Sequence, residues 1–167
     1  MRTEVLLDPP SGDRHHLETD ASLKPWDRRA DPESGLPTYL AGGGVVLRGP
    51  DLRVIESHSV RLGYLSTATR AEYLALLFGL RRAADLNIQK LRVRNDNLGL
   101  VRQLSTPPLP TSAESDSNIR EIRAECSRFV SVEFVWARST HSIWRSDGEF
   151  SADFLARRAC GVGLRTR

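Results

Sequence analysis

Three segments in the first part of the chain have patterns of apolar and polar residues that predict β-strands. The segments span residues 16–21, 39–48 and 52–61. The second and third flank the sequence Gly49-Pro50-Asp51, whose residue types favour a tight turn. We therefore expect these two strands to form an antiparallel pair.

Two further segments near the start of the chain have no apolar period. Residues 1–15 are expected to form a flexible N-terminal arm. Residues 24–37 contain three prolines among closely spaced acidic and basic residues, which predicts a long exposed loop.

The period changes between residues 67 and 86, where apolar side chains recur every three or four positions and predict an amphipathic helix. Thr67 or Thr69 is available to cap its start. The rest of the chain alternates between the two periods, which predicts an α/β fold with a mixed five-stranded sheet and helices on both faces. The remaining predicted elements are strands at 90–94 and 130–136 and helices at 97–104, 113–129 and 149–159.

Composition places the chain among folded globular proteins. Its 167 residues are 40% hydrophobic and 27% charged, which suits one domain with a single core. We expect this domain to span residues 16–160, followed by a tail at 161–167. No apolar run is long enough to cross a bilayer, and the N-terminus lacks the apolar stretch of a signal peptide. We therefore expect a cytoplasmic protein without membrane contact, and a monomer.

Charge and cysteine content add little to this picture. A formal net charge of +3 permits a polyanionic partner without requiring one. The two cysteines, Cys126 and Cys160, are spaced for neither a metal pair nor a disulfide framework, so we interpret them as buried thiols.

Four acids stand where an acid is costly unless it has a partner or a metal. Asp20 closes the first predicted strand and Asp96 closes the fourth, so the two carboxylates meet at one sheet edge if these strands are parallel neighbours. Glu72 lies in the opening turn of the main predicted helix and Asp153 in the first turn of the last. Four oxygen donors without histidine or cysteine match Mg²⁺ or Mn²⁺.

Each acid also has a structural interpretation when it is considered alone. Acids near helix starts are stabilised by the helix dipole, which applies to Glu72 and Asp153. Asp20 and Asp96 have the residue type of turns that follow strands. The residues alone leave both interpretations open.

The chain resembles type 1 ribonuclease H in motifs that follow one another in the same order. Thr19-Asp20-Ala21-Ser22 resembles the first-strand motif of that family, and Ala152-Asp153-Phe154-Leu155-Ala156 resembles its last helix. Between them, the segments at 71–76, 91–96 and 101–104 are also similar. The resemblance covers residues 16–160, and the joint occurrence of the motifs is more specific than any one of them.

The resemblance implies a ribonuclease H-like fold and an endonuclease that cleaves the RNA strand of RNA/DNA hybrids, leaving 5′-phosphate and 3′-hydroxyl ends. Asp20, Glu72, Asp96 and Asp153 then correspond to the family's four acids that bind two ions, Mg²⁺ or Mn²⁺. His141 corresponds to a loop histidine that assists proton movement or product release.

Departures from the family pattern concern substrate contact. Thr67-Ala68-Thr69 stands where the family has Thr-Asn-Asn, so Thr67 and Thr69 remain as candidate hybrid contacts while Ala68 has lost one. Asn97 replaces a serine and can still bind phosphate. The loop at 24–37 replaces a glycine-rich turn, and residues 105–112 are too short for the basic protrusion of some bacterial members.

These departures keep two alternatives open. The first is a non-catalytic or repurposed module that binds nucleic acid or a protein. The second is a nuclease of the same fold that cuts single-stranded DNA or a Holliday junction.

Aromatic and histidine residues outside the motifs are less informative. Trp26 and Trp144 suit substrate stacking and simple packing equally well, whereas Trp136 ends a strand and is expected in the core. The remaining histidines, which are His15, His16 and His58, are expected at the surface, with the adjacent pair as at most an adventitious metal site.

Overall fold

The sequence forms five strands and four helices within the part of the chain that the computed structural model describes. That part comprises residues 12–30, 33, 35–106, 116–137 and 151–161, with the backbone alone at 25–30. The strands are β1 (His15–Ala30), β2 (Pro37–Arg48), β3 (Val54–Leu65), β4 (Lys90–Asn95) and β5 (Ser131–Trp136), and the helices are α1 (Ala68–Asp85), α2 (Leu98–Ser105), α3 (Ser117–Cys126) and α4 (Ala152–Ala159).

The strands form one mixed sheet in the order β3-β2-β1-β4-β5. β1 and β3 each pair with β2 in antiparallel orientation, while β4 is parallel to both β1 and β5. Neighbouring glycines of β2 show that α1 and α4 lie on opposite faces, because Gly43 contacts α1 and Gly44 contacts α4. The predicted fold class is confirmed.

The main core lies between the sheet and α1. Leu17 and Val93 from the central strands are fully buried against Leu76 and Leu80 of α1, and α3 adds Ile119. A smaller cluster under α4 joins Val46 to Ala152 and Leu155. None of the described helices is long and apolar enough to cross a membrane.

The first strand is longer than its sequence pattern predicts. β1 continues to Ala30 and β2 begins at Pro37, so the prediction of a loop is wrong for residues 24–30. The described residues between the two strands, Glu33, Gly35 and Leu36, are exposed as predicted. The ladder with β2 extends through the pair Pro25–Tyr39 and resumes at Ala30–Pro37 after an irregularity. Backbone pairing with a neighbouring strand therefore overrides the missing apolar alternation.

Helix starts follow the capping residues more closely than the apolar period. The Thr67 hydroxyl accepts a hydrogen bond from the Arg70 backbone N–H at 3.2 Å, as predicted for one of the two threonines. α3 begins after Asp116, whose carboxylate accepts from the Asn118 N–H, and α4 begins after Ser151. The predicted additional helical residues at 113–115 and 149–150 lie outside the described residues.

Both cysteines are free thiols. Cys160 is buried and its Sγ donates to the Ser22 carbonyl at 3.0 Å, whereas Cys126 is half-buried. The prediction of buried thiols therefore holds fully for Cys160 and in part for Cys126.

Candidate active site

Three of the four acids singled out in the sequence converge at one edge of the sheet. Asp20, Glu72 and Asp96 each offer a carboxylate oxygen, and these oxygens all lie within 4.8 Å of one another. Asp96 directly follows β4, which runs parallel to β1 up to the pair Glu18–Arg94. Parallel pairing therefore brings Asp96 to the same edge as Asp20, and α1 supplies Glu72.

The local positions of two of these acids differ from the sequence predictions. Asp20 lies in the interior of β1 and does not close the strand. Glu72 is the fifth residue of α1, beyond the first turn, which contains no acid. A turn preference for Asp20 and a helix-dipole preference for Glu72 therefore do not explain why these carboxylates are here.

Burial and mutual repulsion make ionisation of the cluster costly. Burial raises the pKa of Asp20 to about 7, and the charge of Asp96 adds to the effect. The pKa of Glu72 rises to about 8 through burial and through the charges of Asp20 and Asp96. Burial also raises the pKa of the more exposed Asp96, with a contribution from Asp153. A positive charge among the three oxygens would relieve this repulsion.

The donor set fits a hard divalent cation. All three groups offer carboxylate oxygen, the ligand that Mg²⁺ and Mn²⁺ prefer. In addition, Glu72 Oε2 is buried and accepts no hydrogen bond from any residue that the structure describes. A buried carboxylate oxygen without a donor is costly unless a cation satisfies it.

The fourth acid lies beside this group. Asp153 is in the first turn of α4, as predicted, and its charge contributes to the raised pKa values of Asp20 and Asp96. Its Oδ1 accepts a hydrogen bond from Arg157 Nε at 3.1 Å, one helical turn later. Asp153 is therefore electrostatically linked to the cluster while it forms an ion pair on its own helix.

The predicted substrate contacts lie at helix starts. Thr67 and Thr69 are exposed at the beginning of α1. Asn97 caps α2, where its side-chain oxygen accepts from the Leu100 N–H at 3.0 Å. His141 and Trp144 lie outside the described residues, and the side chain of Trp26 is likewise not described.

Two expectations about aromatic and histidine side chains are wrong. Trp136 is 37% exposed and does not belong to the core, and its Nε1 donates to the Asp96 carbonyl at 3.0 Å. His16 is only 2% exposed and is not a surface residue. Because side chains alternate along β1, His15 and His16 point to opposite faces and form no metal pair.

Sequence reasoning missed Asn95, whose amide connects the segments that carry the three acids. Its side chain is buried, donates from Nδ2 to Thr19 Oγ1 at 3.3 Å, and accepts from the Asn97 N–H at 2.8 Å. A hydrogen bond from Asn95 also acts to lower the pKa of Glu72. The available signal was an amide immediately before Asp96 at the end of a buried strand.

Replacing Asn95 with leucine is expected to lower the melting temperature clearly. The change keeps the size of the side chain but removes the partner of the buried Thr19 hydroxyl and of the half-buried Asn97 N–H. A buried polar group left without a partner costs about 1–3 kcal/mol. Thermal unfolding followed by circular dichroism measures the effect. Gln103→Leu, at an exposed amide of α2, is the matched control and should change stability by no more than about 0.5 kcal/mol. Equal melting temperatures for both variants would contradict this role.

A protein-family model matches more than half of the chain. Residues 37–143 match the model of a family described as reverse transcriptase-like. This range includes Glu72 and Asp96. No curated protein matches the chain.

Solved structures share the fold across most of the chain. RNase H1 from the halophilic archaeon Halobacterium salinarum is 21% identical, with a TM-score of 0.65, and the match covers 90% of this chain and 99% of that one. The N-terminal RNase H domain of a Mycobacterium tuberculosis protein is 22% identical, with a TM-score of 0.61 and coverage of 87% and 98%. LC11-RNase H1, isolated from compost and solved with an RNA/DNA hybrid, is 20% identical, with a TM-score of 0.64 and coverage of 90% and 99%. At these identities the likeness is one of fold.

Proposed function

The chain belongs to the reverse transcriptase-like family, which has a ribonuclease H-like fold, and we propose that it is an endoribonuclease that hydrolyses the RNA strand of RNA/DNA hybrids. The observation that carries this proposal is the convergence of Asp20, Glu72 and Asp96 within 4.8 Å at the sheet edge. The hybrid bound to LC11-RNase H1, a protein of the same fold, supports the choice of substrate.

The proposed reaction depends on divalent metal. We propose that two ions, Mg²⁺ or Mn²⁺, are held by Asp20, Glu72, Asp96 and Asp153. The buried Glu72 Oε2, which accepts no hydrogen bond from the described residues, supports this proposal. When bound, such ions supply an activated water and neutralise the 3′-oxygen as it leaves, which gives 5′-phosphate and 3′-hydroxyl products.

We also propose roles for individual side chains, of which that of His141 rests on the family resemblance alone. Because Asp20 and Glu72 have raised pKa values, each can hold a proton near neutral pH until a cation replaces it. Thr67 and Thr69 offer exposed hydroxyls to the sugars of the hybrid. The oxygen of Asn97 caps α2, so its amide nitrogen is the group that we assign to phosphate. We assign His141 to proton movement or product release.

Cleavage of labelled nucleic acids tests the proposal. The substrates are an RNA/DNA hybrid, matched RNA/RNA and DNA/DNA duplexes, the single strands and a four-way DNA junction, each with Mg²⁺, Mn²⁺ or EDTA. We expect metal-dependent cutting of the hybrid alone, lost in Asp96→Asn. Cutting of single-stranded or branched DNA instead would indicate the alternative nuclease. Hybrid binding without cutting of any substrate would indicate a non-catalytic module, in which the loss of an amide at Ala68 becomes the feature to explain.

A further inference from the structure

Two glycines of β2 allow α4 to rest directly on the sheet backbone. A Cβ on Gly44 would lie 1.8 Å from the Ala152 carbonyl oxygen, and a Cβ on Gly42 would lie 2.4 Å from that of Ala156. Both distances are far below van der Waals contact, and both involve helix backbone, which cannot rotate away as a side chain can. Any side chain at either position would therefore push α4 away from the sheet.

Gly44 is also next to the carboxylate cluster. It is the cross-strand partner of Asp20 in the ladder between β1 and β2. The residue that it contacts, Ala152, immediately precedes Asp153. The same glycine therefore lies between the strand that carries one acid and the helix turn that carries another.

We propose that Gly44 is a positioning residue for Asp153, because its missing side chain sets how closely the fourth acid approaches Asp20 and Asp96. The electrostatic influence of Asp153 on both acids requires α4 to lie close to the sheet. The inference rests on the proposed function, since it concerns the metal site of that function. Gly42 supports the same helix one turn further from Asp153.

The test is Mn²⁺ binding to the whole chain, measured by calorimetry and by the electron paramagnetic resonance signal of free Mn²⁺. We expect Gly44→Ala to weaken Mn²⁺ binding by about ten-fold or more, the usual size of effects from residues that orient metal ligands. Gly43→Ala is the matched control. Its Cβ would meet side chains of Ala75 and Leu62 at 3.2 Å on the α1 face, so stability can fall while Mn²⁺ affinity stays unchanged.

A double-mutant cycle separates positioning from general destabilisation. If Gly44 acts through Asp153, Gly44→Ala causes no further loss of Mn²⁺ affinity in a chain that already carries Asp153→Asn. A merely structural effect would appear equally in both backgrounds. If Gly44→Ala does not fold, as judged by circular dichroism, the same cycle is run with Gly42→Ala, for which we expect a smaller loss that is again absent with Asp153→Asn.

The outcomes distinguish this inference from the proposed function. A wild-type chain that binds no Mn²⁺ overturns the metal site itself. A wild-type chain that binds Mn²⁺, with unchanged affinity in the folded glycine variant, overturns the role of Gly44 alone. If Gly44→Ala lowers Mn²⁺ affinity equally in chains with Asp153 and with Asp153→Asn, the role of Gly44 is also overturned.

Discussion

Asp20→Asn is expected to abolish hybrid cleavage and to raise the melting temperature of the metal-free protein. Cleavage is lost because the central carboxylate of the proposed metal site becomes a weak neutral ligand. Stability rises because burial and the neighbouring acids oppose ionisation of Asp20, whose pKa is raised to about 7. At pH 8.5 in EDTA, each kcal/mol of relieved repulsion corresponds to about 2–4 °C in a chain of this size. Differential scanning calorimetry and the hybrid cleavage assay measure the two effects.

The control for this prediction is an exposed acid whose negative charge is stabilised by a neighbouring arginine. Asp85 is exposed on α1 and pairs with Arg128 at 3.2 Å, so Asp85→Asn should leave cleavage intact and should not raise the melting temperature. Hybrid cleavage that persists in Asp20→Asn would exclude the proposed site. A lower melting temperature for Asp20→Asn than for the wild type would show that the Asp20 carboxylate stabilises the fold, which would contradict the predicted repulsion.

The metal-free protein is expected to lose a few kcal/mol of stability as the pH rises from about 5 to 8, and Mg²⁺ is expected to restore it. The folded-state pKa values of Asp20 and Glu72 are raised from 3.8 and 4.5 to about 7 and about 8. Protonation therefore favours the folded state, and this contribution is complete below the unfolded values and is lost as pH rises through the folded ones. Urea unfolding at several pH values, with EDTA or with Mg²⁺, measures the change.

The pKa of Glu56 is also strongly shifted, but this carboxylate does not titrate between pH 5 and 8. Hydrogen bonds from Arg82 and His58 lower the pKa of Glu56 to about 2, so its contribution changes only at acidic pH. Glu72→Gln is the informative control, because it removes one titrating group and should flatten the pH dependence. A metal-free stability that is constant or rises between pH 5 and 8 would contradict the raised pKa values.

The sequence predicted the elements that have strong periodicity or clear caps. α1, β4 and β5 lie within a residue or two of their predicted bounds. Buried apolar side chains determine α1 and β4, whereas the apolar residues of β5, apart from the exposed Trp136, are half-buried. The extension of β1 to Ala30 was not predictable, since it depends on pairing with β2 and not on the residues of β1. Periodicity detects which face is buried, but it does not detect a backbone ladder beyond the core.

The candidate site was predictable in its acids but not in its supporting contacts. Parallel neighbouring strands were sufficient to place Asp20 near Asp96, although Asp20 lies inside β1 and not at its end. The role of Asn95 and the hydrogen bond from Trp136 to the Asp96 carbonyl depend on side-chain directions that a sequence does not specify. The contact of Gly44 with α4 depends on the distance between two layers, which likewise appears only in three dimensions.

The order of the strands has a consequence for synthesis of the chain. β1, β2 and β3 are consecutive and form a meander, whereas β4 joins β1 only after α1 has been made, and α4 comes last among the described elements. The four acids of the candidate site are therefore translated in the order Asp20, Glu72, Asp96 and Asp153. A nascent chain that does not yet contain α4 lacks Asp153, so the complete acid set can assemble only after every described element has been translated.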